Sequence, residues 1–120
     1  MKTLVIGAGA IGGYFGALLA RAGHSVTVLA RGDHLKEIQR SGIRIVGGPD
    51  SGSFAVDAVG DLQGVEPPEL VLFAVKSYDT EEACAILRPV LEEHSIVLEL
   101  QNGVDRAEEI QNLLGFANIL

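Results

Sequence analysis

Residues 7–12 read Gly-Ala-Gly-Ala-Ile-Gly, between a run of β-formers and an apolar helical stretch. Each glycine at this spacing has a chemical use. Gly7 permits a tight turn out of the strand. Gly9 has no Cβ, so a pyrophosphate can approach the backbone. Gly12 lets the helix pack closely on the strand. The helix N-terminus then offers unpaired N–H groups and partial positive charge to phosphates. Gly-rich turns are common, so the motif alone is weak. Here a strand precedes it, a helix follows, and a second strand comes at the right distance. The loop Gly7, Ala8, Gly9, Ala10, Ile11 and Gly12 is expected to hold the phosphates of a dinucleotide.

Three further residues fall where a nucleotide cofactor would need them. Residues 26–31 read Val-Thr-Val-Leu-Ala-Arg, with no acid until Asp33. NAD-binding domains usually end the second strand on Asp or Glu, which accepts from the ribose hydroxyls. Arg31 can instead pair bidentately with a 2′-phosphate, which points to NADP(H). The alternative for Arg31 is a solvated surface residue. Asp33 could reach a ribose hydroxyl, but its position suits a helix cap better. Lys76 stands at the mouth of an apolar strand and must reach an anion or solvent. Asn102 ends another strand and precedes Gly103; it is either a ligand or an Asn-Gly turn residue.

Other reactive types point to less. His24, His34 and His94 read as loop or helix-end residues, and none shares metal-ligand spacing with Cys84. No metal site is expected. Cys84 lies mid-helix and reads as a small core residue rather than a nucleophile.

The elements that position these residues follow from periodicity. Strand one covers 3–7 and helix one Ala10–Ala22, with Ile11, Phe15, Leu18, Leu19 and Ala22 on its apolar face and Gly23 ending it. Strand two is Ser25–Ala30. A short helix runs to Ser41 with Asp33 as N-cap. Two β-like runs, Ile43–Val46 and Ser53–Val59, flank a Gly- and Pro-rich loop. Strand four is Leu70–Val75. The next helix runs from near Asp79 to near Leu91. Strand five is Ile96–Leu100, and a last helix opens with Asp105 and stops at Gly115. Ala117–Leu120 reads as the start of a sixth strand. This alternation predicts an α/β, Rossmann-type, doubly wound, mostly parallel sheet, a single dinucleotide-binding domain over 1–120. Ligands of such sheets lie across the carboxyl ends of the strands, where strand order reverses. Gly7–Gly12, Arg31, Lys76 and Asn102 all follow strands.

Composition agrees with this. The chain has 120 residues, 48% of them hydrophobic, and its mean hydropathy of +0.30 is high for a small domain. That suits a parallel sheet buried on both faces, and a domain that covers part of its surface with another. No apolar stretch is long enough to span a membrane, and the first residues enter a strand directly, so no signal peptide is expected. A single cysteine suits a reducing cytoplasm. A net charge of −7 argues against nucleic acid as a partner.

Four blocks in order carry a resemblance: Gly-Ala-Gly-Ala-Ile-Gly-Gly-Tyr-Phe-Gly from 7, Leu-Ala-Arg at 29–31, Val-Lys-Ser-Tyr-Asp-Thr at 75–80 and Leu-Gln-Asn-Gly-Val at 100–104. Together they resemble the N-terminal NADP-binding domain of the ketopantoate reductase (2-dehydropantoate 2-reductase) family. The resemblance spans essentially the whole chain. It implies NADPH as cofactor and reduction of 2-dehydropantoate to pantoate, on the route to pantothenate. It implies that the glycine loop and Arg31 hold phosphates, that Lys76 and Asn102 line the crevice, and that Asn102 also meets substrate. Asp105 departs from the family, where a glycine often follows Asn-Gly-x; it can serve as a helix cap.

The family's proton-donating lysine and its supporting glutamate belong to a helical C-terminal domain that follows the sixth strand. No catalytic residue is therefore expected in this chain, which resembles a cofactor domain cut near that strand. Self-association through the uncovered interdomain surface is a further expectation. Two other functions fit the same residues: a stand-alone NADP-binding module without catalysis, and the NAD(P) domain of another 2-ketoacid or sugar-nucleotide dehydrogenase.

Overall fold

The structure is a computed structural model that describes residues 1–7, 10–75, 80–100, 107–115 and 119. Among them the chain forms β1 (Lys2–Ile6), α1 (Ala10–Arg21), β2 (Ser25–Leu29), α2 (Gly32–Ser41), β3 (Ile43–Ile45), β4 (Gly52–Phe54), β5 (Asp57–Val59), β6 (Leu70–Phe73), α3 (Thr80–Leu87), β7 (Ile96–Glu99) and α4 (Ala107–Leu114). Five strands make one sheet in the order β5-β2-β1-β6-β7, and every pair in it is parallel. The chain builds outward from β1 through β2 to β5, then returns to the other side of β1 as β6 and β7. Strand order therefore reverses between β1 and β6. This is the doubly wound Rossmann-type α/β sheet that the alternation predicts.

Burial on both faces explains the continuous apolar stretches Leu4–Ile6 in β1 and Leu70–Phe73 in β6. Val5 packs with Ala17, Val26, Val28, Ile38, Ile43 and Leu72 on the face covered by α1 and α2. Leu4 and Ile6 pack with Val71, Phe73, Val97, Cys84, Leu87 and Ile110 on the face covered by α3 and α4. Beyond α1, the first face carries an apolar groove of about 310 Å³ over β6 and β7, lined by Phe15, Leu18, Leu19, Leu70, Leu72, Leu98 and Leu100. Ile96, on the same side of β7 by alternation, is exposed.

Three expectations need correction. The run Ser53–Val59 is not one strand. Gly52–Phe54 pairs antiparallel with β3, whereas Asp57–Val59 pairs parallel with β2, so the chain changes partner at Ala55 and Val56. Local β-propensity signals extension and says nothing about the partner. Asp33 is not the N-cap of α2. Arg31 holds that backbone position, with φ −145° and ψ 163°, and Asp33 lies in the first turn, where an acid still suits the helix dipole. The helix expected to reach Leu91 is α-helical only to Leu87, and Arg88–Val90 tightens into a 3₁₀ turn. Pro89 lacks the N–H that would continue the α-helical ladder.

Other stops lie where the sequence puts them. After α1, His24 N–H donates to Leu19 O at 3.0 Å and Gly23 N–H to Ala20 O at 3.1 Å. With Gly23 at φ +95° this is a Schellman cap. Gly115 ends α4 at φ +62°. Ile119 makes a parallel bridge to Val97, beside β7, where a sixth strand is expected. Asp79 and Asp105, expected at the starts of the last two helices, lie outside the described residues.

Candidate nucleotide-binding site

The carboxyl ends of the central strands are stitched together by backbone hydrogen bonds. Ala74 N–H donates to Ile6 O at 3.0 Å, and Leu100 N–H donates to Phe73 O at 2.9 Å. Ala30 N–H donates to Val59 O at 3.0 Å on the outer side. The segments leaving β1, β2, β6 and β7 thus emerge along one edge of the sheet.

Gly7 is constrained twice at this edge. Its φ is +79°, and a Cβ built on it would lie 2.5 Å from Ala74 O and 2.7 Å from Val75 Cα. The backbone turning out of β1 therefore presses directly on the backbone leaving β6, at the point of strand reversal. Gly12 has a different reason. Its Cβ would lie 2.9 Å from Gly7 O, 3.1 Å from Ala74 Cβ and 3.3 Å from a Val5 methyl. Its bare backbone lets the first turns of α1 sit down on β1 and on the end of β6. Gly16, one turn later, continues the contact, with Val5 3.1 Å from its would-be Cβ. The sequence reading did not single out Gly16, although its spacing of four from Gly12 marks the same helix face.

The α1 N-terminus that these glycines aim at the strand ends carries no acidic residue in its first turn. No carboxylate of the helix's own first turn competes there with an anion for its N–H groups and dipole. Ile11 is half-buried behind that turn and Gly12 is buried. Ala10 begins the helix. Ala8, Gly9, Lys76 and Asn102 lie outside the described residues.

Arg31 emerges from the end of β2 in an extended conformation, its side chain half-exposed, with Nη1 3.5 Å from Glu82 Oε1 on α3. The sequence did not reveal this partner, because the two residues are far apart in the chain and meet only once β6 has returned beside β1. A second acid went unremarked. Glu99 is the single charged residue in the strand Ile96–Glu99, and its Oε1 is buried without a hydrogen-bond partner among the described residues. Its register partner is Phe73, so it stands at the carboxyl edge of the sheet. A charge inside an apolar strand was the available signal.

Cys84 takes no part in this edge. It is buried, and burial pushes its thiol up to about 11, with Glu109 adding to the shift. A thiol held protonated at neutral pH is neither nucleophile nor metal ligand. Among the described residues no cluster of three or more His, Cys, Asp or Glu gathers as a metal site, and no helix is long and apolar enough to cross a membrane. A cavity of about 520 Å³ between α1, α2 and β3 includes Tyr14, His34, Ile38 and Arg44, and contains none of the strand-end residues.

A helix N-terminus free of acids, seated by Gly7 and Gly12 at the reversal of strand order, and an arginine after β2 together fit the phosphates of a dinucleotide. Comparison with known proteins gives matches over nearly the whole chain. Residues 3–120 match the family described as ketopantoate reductase PanE/ApbA. A 2-dehydropantoate 2-reductase of Pyrococcus abyssi is 40% identical over 92% of this chain and 36% of its own length. One from Aquifex aeolicus is 35% identical over 100% of this chain and 37% of its own. A crystal structure of a PanE/ApbA family ketopantoate reductase from Ralstonia eutropha superposes with a TM-score of 0.88, at 40% identity, over 99% of this chain and 40% of that one. The chain spans a little over a third of the length of the curated relatives it matches.

Proposed function

Since the chain belongs to the ketopantoate reductase PanE/ApbA family, we propose that it is the NADP(H)-binding domain of an enzyme that reduces 2-dehydropantoate to pantoate. The observation that carries the cofactor half of this reading is the packing of Gly7 and Gly12 against the end of β6, at the reversal of strand order. That packing seats the first turns of α1 at the carboxyl ends of β1 and β6, where a helix N-terminus can meet a pyrophosphate. The substrate half rests on the relatives named 2-dehydropantoate 2-reductase.

In this reading the loop Gly7, Ala8, Gly9, Ala10, Ile11 and Gly12 holds the pyrophosphate through backbone N–H groups. Arg31 takes the 2′-phosphate through a charge-assisted pair. Lys76 and Asn102, which follow the two strands beyond β1, line the crevice, and Asn102 also orients the ketone. NADPH, when bound, supplies the hydride for the reduction. The proton for the resulting alkoxide comes from a group outside these 120 residues, in the helical domain that the family resemblance implies. The reaction belongs to the cytoplasm, in keeping with one buried, unpaired cysteine.

Calorimetric titration with NADPH and NADH tests the assignment. A charge-assisted pair contributes about 1.5–3 kcal/mol, so NADPH is expected to bind roughly ten- to hundredfold more tightly. Arg31→Ala should remove most of that preference and leave NADH nearly unchanged. Equal affinities in the unmutated protein would overturn the reading.

A further inference from the structure

Arg31 and Glu82 belong to elements that flank β1, the strand carrying the glycine turn. Arg31 follows β2 on one side, and Glu82 lies in the first turn of α3, which follows β6 on the other. Their side chains approach to 3.5 Å, with 48% and 45% of each exposed. The inner face of α3 is fixed by buried Thr80, Ala83, Cys84 and Leu87. That packing holds the outward-facing Glu82 near the end of β2. We propose that Glu82 is a specificity-determining residue for the 2′-position of the cofactor, a carboxylate that competes with the 2′-phosphate for Arg31. This inference rests on Arg31 as the 2′-phosphate partner.

A 2′-phosphate arriving at Arg31 brings close to two negative charges to a guanidinium that already faces a carboxylate. It must displace Glu82 or share the arginine with it, and like charges at a few ångströms repel. A cofactor with a 2′-hydroxyl brings no charge, and a carboxylate accepts its hydrogen bond readily. Glu82 therefore lowers affinity for the phosphorylated cofactor while sparing the other. The surroundings are half-exposed and water-like, so the effect is on the order of three- to tenfold rather than thousands.

The test is calorimetric titration of the full chain with 2′,5′-ADP and 5′-AMP, which carry the two alternatives without the nicotinamide half. Glu82→Gln should tighten 2′,5′-ADP about three- to tenfold and move 5′-AMP less than about twofold. Glu81→Gln removes the same charge one residue away and should do less than half as much. In an Arg31→Ala background the Glu82 effect should fall below about twofold, because the competition has lost its object. If Glu82→Gln matches Glu81→Gln, or weakens 2′,5′-ADP, the inference fails, while a wild-type preference for 2′,5′-ADP over 5′-AMP keeps the cofactor assignment. Absence of that preference in the wild type overturns both.

Discussion

A Cβ on Gly7 would sit 2.5 Å from the carbonyl oxygen of Ala74, so the turn out of β1 and the end of β6 leave no room for a side chain between them. The contact is backbone against backbone and cannot be relieved by a rotamer change. Gly7→Ala should combine this clash with the strain of a positive φ, at a cost of about 3–5 kcal/mol. Gly23→Ala is the control. Its φ is +95°, but nothing lies within 4 Å of the new Cβ, so only conformational strain remains, roughly 1 kcal/mol. Urea denaturation of both variants separates clash from strain. Similar losses would mean that the crowding at Gly7 relaxes freely.

Gly9→Val probes the loop as a ligand site. A branched side chain where the pyrophosphate approaches should abolish binding of both NADPH and NADH. The melting temperature should change much less than the binding. Normal NADPH titration of this variant would leave the glycine loop with a structural role only.

Asp50 clips the β3–β4 loop to α1. Tyr14 Oη donates to it at 2.8 Å and Arg21 Nη1 at 2.9 Å. The Arg21 hydrogen bond first, then that of Tyr14, holds the Asp50 carboxyl below the usual carboxylate range. The folded pKa lies below the unfolded one, so this contribution is present above an unfolded value of about 3.9 and is lost as pH falls through the folded value. Tyr14 shifts the opposite way. Its hydrogen bond to Asp50 raises its phenol, so its share is present below about 10 and is lost as pH rises through the folded value. Asp50→Asn should flatten the fall in melting temperature as the pH drops below about 5. An unchanged acid slope would show that the clip forms without contributing.

Hydride transfer to a ketone needs a proton donor and oriented reactants. General acid help is worth about 10²–10⁴-fold and orientation more. The 120-residue chain should therefore bind NADPH without consuming it in the presence of 2-dehydropantoate. A spectrophotometric assay of this chain beside one of relative-like length checks this. Comparable rates would place the acid within residues 1–120, with Lys76 the first suspect.

What could be read in advance divides by range. The glycine spacing, the apolar run Leu70–Val75 and the stops at Gly23 and Gly115 are local signals, and local sterics produced the matching turns. The partner switch at Ala55 and Val56 is not local: the same extended residues serve a hairpin or the main sheet, depending on which edge is free. Arg31 was legible as a cation after β2. Its neighbour Glu82 was not, because that contact depends on the return of the chain to the far side of β1. Glu99 was visible as a lone charge in an apolar strand, but only the register with Phe73 puts it at the carboxyl edge of the sheet.

Cys84 gives the molecule an internal clock. It is 1% exposed, sits between α3 and α4 among Leu87, Ile110 and Leu114, and keeps its proton up to about pH 11. A thiol reagent can modify it only during excursions in which the packing of α3 against α4 and the sheet opens. The modification rate then counts those openings one molecule at a time. The same helix carries Glu82, 3.5 Å from Arg31, so a ligand held at Arg31 and released on opening slows the clock by 1 + [L]/Kd, about a hundredfold at a hundred times Kd. Occupancy of one edge of the sheet thereby becomes readable, without any catalytic turnover, from the ageing of a single sulfur on the other side of a helix.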